Sequence, residues 1–412
     1  MKEEKITITN AQELRQEKCN VPTLRFKQFQ DNWSSKRLSD IAEVVGGGTP
    51  DTTDSTLWNG GIQWFTPTEV GHSKYVSMSV RTISQHGLQK SSAKILPAGS
   101  ILLSSRATVG ECSITQKDCT TNQGFQNLIP KKGINNEFLY YLAQTQKRHF
   151  IKYASGSTFL EISNSEIKKT KCAVPGIEEQ TEIATFLSAI DKKIEVQNKI
   201  ISDLKVLKKE LMDYILNTCG FMELSIKDLI DCGFARIIKA SEMKKFNGTR
   251  KYLSTSSIGE NGIEQVESII TYTDRPSRAS MLPIKGSIWF AKMKNSVKVY
   301  QSTDNDENHY ILSTGFYGLL CDETKVNSRW IIELFKSDYF NTQKDKFSEG
   351  SSMSGIKDSQ LADITLKVFA DKKQEKYHTN NIQNLSKKIQ LEKNALQVLL
   401  KQKQFFLNAM FI

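Results

Sequence analysis

Apolar residues recur at alternating spacings of three and four along two stretches without internal Pro or Gly, Ile183 to Leu216 and Ile382 to Met410. This is the heptad signature of helices that pack on other helices. In the first, positions 187, 190, 194, 201, 204, 211 and 215 carry Leu, Ile, Ile, Ile, Leu, Leu and Ile, and only Gln197 and Lys208 interrupt the stripe. Adding 195 to each position gives Ile382, Leu385, Ile389, Leu396, Leu399, Phe406 and Met410, with Glu392 and Lys403 in the two polar slots. Two matched stripes predict an antiparallel coiled coil. Its symmetric register sets Lys208 against Glu392 and Gln197 against Lys403, polar pairs of the kind that fix register at some cost in stability. Forty helical residues span about 60 Å, long enough for a spacer.

Elsewhere the pattern changes to short runs of Val, Ile, Thr and aromatics between Gly, Ser and Asn clusters, such as SILLSS at 100–105 and GSIWFAKM at 286–293. These predict strands. One shorter helix is predicted around Asn136–Tyr153 and another around Ser328–Lys346. The repeat seen in the heptads continues here: LPAGSIL at 96–102 matches LPIKGSIW at 282–289, Gly124-Phe125 matches Gly315-Phe316, and SGST at 155–158 matches EGSS at 349–352. The plan is therefore globule, long helix, globule, long helix. The expected fold is mixed α/β, of the α+β kind, with two similar globular domains separated by two long helices. The expected boundaries are an N-terminal extension over 1–20, a first domain over 21–177, a central helix over 178–217, a second domain over 218–370 and a final helix over 371–412.

Composition fits a soluble chain of two or three domains: 412 residues, 38% hydrophobic and 25% charged. No apolar run approaches the length that spans a bilayer, and the acidic residues of MKEEKITITN do not suit a signal peptide. No membrane partner and a cytoplasmic location are expected. Seven cysteines without a C-x-x-C pair read as reduced thiols. The net charge of +11 points to a polyanion. Its distribution is uneven: net +7 over 1–177, −2 over 178–217, +1 over 218–370 and +5 over 371–412. The opposite signs of the two long helices suit their pairing.

Catalytic patterns are missing from the sequence. Gly46-Gly47-Gly48 is followed by Thr49-Pro50 instead of a phosphate-cradling Gly-Lys-Ser/Thr. No two of the eight prolines are adjacent, so the Pro-Pro loop of amino-methyltransferases has no counterpart. Glu69 precedes Val70-Gly71 where a nuclease site wants a lysine, and the five histidines lack metal-ligand spacing. No catalytic residue, no metal ligand and no cofactor of the chain's own are expected. A non-catalytic binding protein leads, with a self-sufficient methyltransferase or nuclease fragment, or a coiled-coil assembly protein without DNA contact, as the alternatives.

Beyond residue 20 the plan resembles a Type I restriction-modification specificity (S) subunit. The resemblance rests on VPTLRFKQFQDNWSSKRLSDIAEVVGGGTP at 21–50, IQWFTPTEVG at 62–71, SSRATVG at 104–110 and TNQGFQNL at 121–128. Most specific is GSTFLEISNSEIKKTKCAVPGIEEQTEIATFLSAID at 156–191, which joins a recognition domain to the central helix. STSSIGENG at 254–262, DRPSRAS at 274–280 and LSTGFYGLL at 312–320 carry it into the second half. The resemblance implies two target-recognition domains, each reading one part of a split site in double-stranded DNA. It also implies that the helices dock two methylation subunits supplying S-adenosylmethionine chemistry, and that restriction/translocase subunits bring ATP and Mg. One departure is the second boundary, where Pro175-Gly176-Ile177-Glu178-Glu179-Gln180 becomes Ala370-Asp371-Lys372-Lys373-Gln374.

Base readout needs side chains that donate and accept in pairs, with Lys, Ser and Thr on phosphates. In the first domain Arg81, Lys90, Lys94, Ser105, Arg106, Gln123, Ser157 and Thr158 are the DNA-binding candidates. In the second they are Arg275, Arg278, Lys292, Lys294, Asn295, Ser351 and Ser352, with Arg275-Pro276-Ser277-Arg278 as a proline-stiffened turn bearing two guanidinium groups. Trp64-Phe65 and Trp289-Phe290 lie in strand-like runs and are assigned to the core.

Overall fold

Both heptad stretches lie inside longer helices. In the computed structural model the central helix runs Ile177–Thr218 and the final helix Lys372–Met410. Pro175-Gly176 precedes the first, and Glu178 and Glu179 fill its opening turn, where carboxylates complement the helix dipole. The structure describes residues 6–8, 21–156, 160–259, 262–304, 306–347, 356–361 and 363–412. Ser157, Thr158, Ser351 and Ser352 lie outside these.

The chain divides into two compact units, 1–198 with 394–412, and 199–393. The cuts fall in the middle of both long helices, not at their ends. In the first unit the start of the central helix packs on the end of the final helix: Ile183, Ala184 and Leu187 share a core with Leu407, Met410 and Phe411, and the Phe186 and Phe406 rings meet edge to face at 4.9 Å. In the second unit Met212, Ile215 and Leu216 share a core with Ile382. Within each unit the two helix segments run in opposite directions.

The ion pairs depart from the symmetric register. Lys403 reaches Asp191 at 2.7 Å, six residues before Gln197, and Lys208 reaches Glu333 of the second domain at 2.7 Å. Phe406 lies on Phe186, about two turns before the Ile194 that the symmetric register would give it. The reason is a third partner. Lys403 is drawn into a polar network in which Tyr141 of the first domain donates to Asp191 at 2.5 Å, and Lys74 reaches both Glu137 at 2.9 Å and Ser188 at 2.5 Å. A heptad stripe reports helix against helix, whereas here each domain supplies part of the register.

The domains repeat one topology. In the first, the strands Ala42–Gly46, Gln126–Pro130, Ile101–Leu103 and Cys112–Thr115 lie side by side in that order and antiparallel, with Tyr75–Val76 added at the edge. In the second, Ala235–Ile237, Phe316–Cys321, Ile288–Ala291 and Val299–Gln301 do the same. Each domain also has a parallel pair, Cys119–Thr121 beside Trp58–Phe65 and Tyr310–Ser313 beside Arg250–Leu253. A two-stranded ribbon leads into each long helix, Ser34–Arg37 with Lys171–Val174 and Phe221–Ser225 with Thr365–Phe369. The predicted shorter helices are each two, Asn136–Thr145 with Lys147–Tyr153 and Ser328–Lys336 with Asp338–Lys346. Within the N-terminal extension Ile6–Ile8 forms a strand against Leu24–Phe26. Trp64, Phe65, Trp289 and Phe290 are buried, as expected of core residues.

Candidate nucleic-acid interface

In the first domain Ile83 pairs with both Trp58 and Ile62, so the strand Trp58–Phe65 bulges, with Asn59 at φ +60°. The bulge brings Trp58 edge-on to Trp64 at 5.0 Å, and the Arg81 guanidinium lies 3.5 Å from the centre of the Trp58 ring. An exposed arginine stacked in this way is already ordered, which lowers the cost of engaging a base or phosphate. Trp64 donates its indole N–H to the Gly48 carbonyl at 2.8 Å. Gly48 in turn lies against Ala93, where a Cβ would come within 2.3 Å of the backbone nitrogen. This close approach accounts for the glycine at 48, which packs a loop against Ala93.

The Thr49 hydroxyl donates to Gln123, and the Gly124 carbonyl accepts from the Ser105 amide at 2.8 Å. Arg81, Gln123 and Arg106 are thus joined by one run of contacts, with Lys90 and Lys94 exposed on either side of Ala93. Arg106 lies 3.8 Å from Glu161, both about half exposed. Ser105 does not belong to the surface. It is fully buried, its amide and carbonyl are spent on Gly124 and Ile162, and its hydroxyl has no hydrogen-bond partner among the described residues. Its expected phosphate contact is therefore withdrawn: a serine closing a buried strand faces inward.

The second domain builds the same frame with other side chains. The Gly315 carbonyl accepts from the Lys292 amide at 2.9 Å, and the Lys292 carbonyl accepts from Ile356 at 3.2 Å, the counterparts of the Gly124, Ser105 and Ile162 bonds. Lys292, half-buried, thus occupies the slot of Ser105. The amide of Gly315 donates to the Ser313 hydroxyl as that of Gly124 donates to the Asn122 side chain. Arg278 is exposed, and its carbonyl accepts from Thr314 at 2.9 Å, beside Gly315. Arg275 folds back: its guanidinium lies 4.2 Å from the centre of the Tyr272 ring and donates to the Tyr272 carbonyl. Lys294 and Asn295 are exposed at the tip of the next turn, where Asn295 has φ +56°.

Reading the sequence missed what holds that turn. Lys344 is 1% exposed, yet its ammonium donates to the carbonyls of Met293, at 3.1 Å, and Ser296. Burial pushes its pKa below the ordinary lysine value. Asp345 accepts from the Asn295 amide at 3.1 Å. The available signal was a lysine in the inward stripe Phe340, Lys344, Phe347. Among the described residues no group of three His, Cys, Asp or Glu is placed to hold a metal ion, and no helix is long and apolar enough to cross a membrane.

Comparison with known proteins agrees with this architecture. The chain is 39% identical over 192 residues to the Type I restriction enzyme MjaIX specificity subunit of Methanocaldococcus jannaschii, covering 44% of this chain and 44% of the relative. It is 28% identical over 175 residues to the EcoR124I/EcoR124II specificity subunit of Escherichia coli, covering 41% of this chain and 43% of the relative. The matched segments thus span less than half of either relative. Among solved structures, the S subunit of a Type I restriction-modification system from M. genitalium superposes with a TM-score of 0.57 at 14% identity, covering 95% of this chain and 99% of that one. A chain from a Type I R-M system structure concerned with complex assembly and conformational transition gives 0.54 at 11% identity, covering 91% and 96%. At these identities the superpositions speak for the fold. Residues 30–206 match the model of the Type I restriction modification DNA specificity domain.

Proposed function

We propose that the chain is the DNA sequence-specificity subunit of a Type I restriction-modification complex, each domain reading one part of a bipartite site in double-stranded DNA. The observation that carries this reading is the duplicated frame: the same backbone bonds recur around Gly124 and Gly315, beside Gln123 and Arg106 in one copy and beside Arg278, Lys294 and Asn295 in the other, while Arg81 joins the first through its stacking on Trp58. A repeated scaffold bearing different donors suits two half-sites of different sequence. The long helices act as spacer and as docking surface for two methylation subunits, with restriction/translocase subunits joining these. The chain itself is non-catalytic, and S-adenosylmethionine, ATP and Mg act on the partner subunits.

The test is selection of duplexes from a randomised library by the full chain, alone and with its methylation subunits, at several salt concentrations. Two separated blocks of preferred bases are expected, with affinity falling steeply as salt rises. Arg81→Ala is expected to weaken preference at positions in one block and Arg278→Ala in the other, each by about tenfold. Binding without base preference, or one block alone, would refute the bipartite reading.

A further inference from the structure

The turn at 293–296 carries the exposed Lys294 and Asn295, and three of its backbone groups are held by two consecutive side chains of one helix. Lys344 takes the carbonyls of Met293 and Ser296, and Asp345 takes the amide of Asn295. The helix Asp338–Lys346 is itself fixed to the strand leading into the turn, since Phe340 meets Phe290 edge to face at 4.9 Å. On the far side Lys298 donates to the Thr255 carbonyl at 2.8 Å. The turn is thus clamped at both ends while Lys294 and Asn295 remain exposed.

A buried ammonium is a costly way to hold a turn. The first copy does without one: Ser104 donates to the Arg106 carbonyl at 3.1 Å and lies 2.9 Å from the Thr108 hydroxyl, so its turn is capped by its own residues. In the second copy Ala291 stands at the repeat position of Ser104, and no hydroxyl is available there. A substitute cap has to come from outside the turn, and Lys344 supplies it. Asn295, at φ +56°, is the residue whose left-handed backbone the cap preserves.

We propose that Lys344 and Asp345 are positioning residues for base readout, setting the conformation of the 293–296 turn and thereby the base preference of the second domain without touching DNA. This rests on the DNA-recognition reading above. A change in either residue then alters which bases are chosen in one block, because it changes where Lys294 and Asn295 point.

The experiment is duplex selection with the full chain carrying Lys344→Met, Asp345→Ala or, as a control on stability alone, Ile364→Val, each with a thermal unfolding curve. Ile364 is fully buried in the second domain. The wild type is expected to select two blocks. Lys344→Met is expected to lose about tenfold discrimination within one block and none in the other, Asp345→Ala to affect the same block less, and Ile364→Val to leave both unchanged. If Lys344→Met does not fold, Asp345→Ala, at a partly exposed site, decides the matter. Unchanged preference in the folded variants, or equal loss in both blocks, overturns the proposal while the DNA reading stands. A wild type that selects no bipartite site removes both.

Discussion

The two ends of the repeat, where each long helix begins, solve one problem with different chemistry. In the first copy Gln180 is buried and accepts from the amide of Asn135, the cap of the helix Asn136–Thr145, at 2.9 Å. In the second, Glu375 is buried at the matching place and accepts from the amide of Asn327, the cap of Ser328–Lys336, at 3.0 Å. The link between long helix and domain helix is retained although the surrounding residues differ. One position earlier the copies diverge. Glu179 is buried and receives two hydrogen bonds from Arg25, both at 2.7 Å, whereas its counterpart Gln374 is exposed. What is shared is the satisfaction of helix-end amides, and what is free to vary is the charge beside them.

The largest effect that can sharpen this comparison is at that divergent position. Glu179→Ala strands the largely buried guanidinium of Arg25 and is expected to cost about 3 kcal/mol of stability. Gln374→Ala is expected to cost less than about 0.5 kcal/mol. Denaturant unfolding of the two variants measures both, and equal costs would show that the copies are held alike. A second difference concerns acid. Burial opposes ionisation of Glu137, but hydrogen bonds from Ser188, Tyr75 and Lys74 outweigh it and hold its carboxyl below the ordinary glutamate value. Its contribution is fully present above about pH 4.3, the ordinary glutamate value, and is lost as pH falls through the lower folded value. Glu137→Gln is expected to lower stability at neutral pH and to flatten this acid loss, read from unfolding midpoints at a series of pH values. The smallest effect is Ser105→Ala, which removes a buried hydroxyl without a hydrogen-bond partner among the described residues and is expected to leave stability unchanged or raise it by up to about 1 kcal/mol.

Much of the architecture was legible in the chain. The heptads located both long helices, and the LPAGSIL and LPIKGSIW motifs marked strands that occupy the same place in two sheets of the same order. The helix register was not legible, because Lys208 and Lys403 are drawn by carboxylates outside the heptad pairing, and Glu333 stands far away in sequence. Among the site candidates, Arg81 owes its geometry to a strand bulge, and Ser105 is fully buried between the segments of Gly124 and Ile162 that its backbone joins. Neither feature has a local sequence signature. Lys344 reads as an ordinary surface lysine until the turn it holds is known. The charge asymmetry between the long helices agreed with their antiparallel course but was too coarse to choose partners.

The division of the units within the long helices has a consequence for how the chain folds as it is made. The second unit, 199–393, is continuous, whereas the first needs both 1–198 and 394–412. Translation at about 5–20 residues per second therefore completes the second unit while the first still lacks a wall of its core. Leu407, Met410 and Phe411 belong to that missing wall. Until they emerge, Phe186 and its neighbours on the central helix present an uncovered apolar stripe, so the half translated first is the half that closes last.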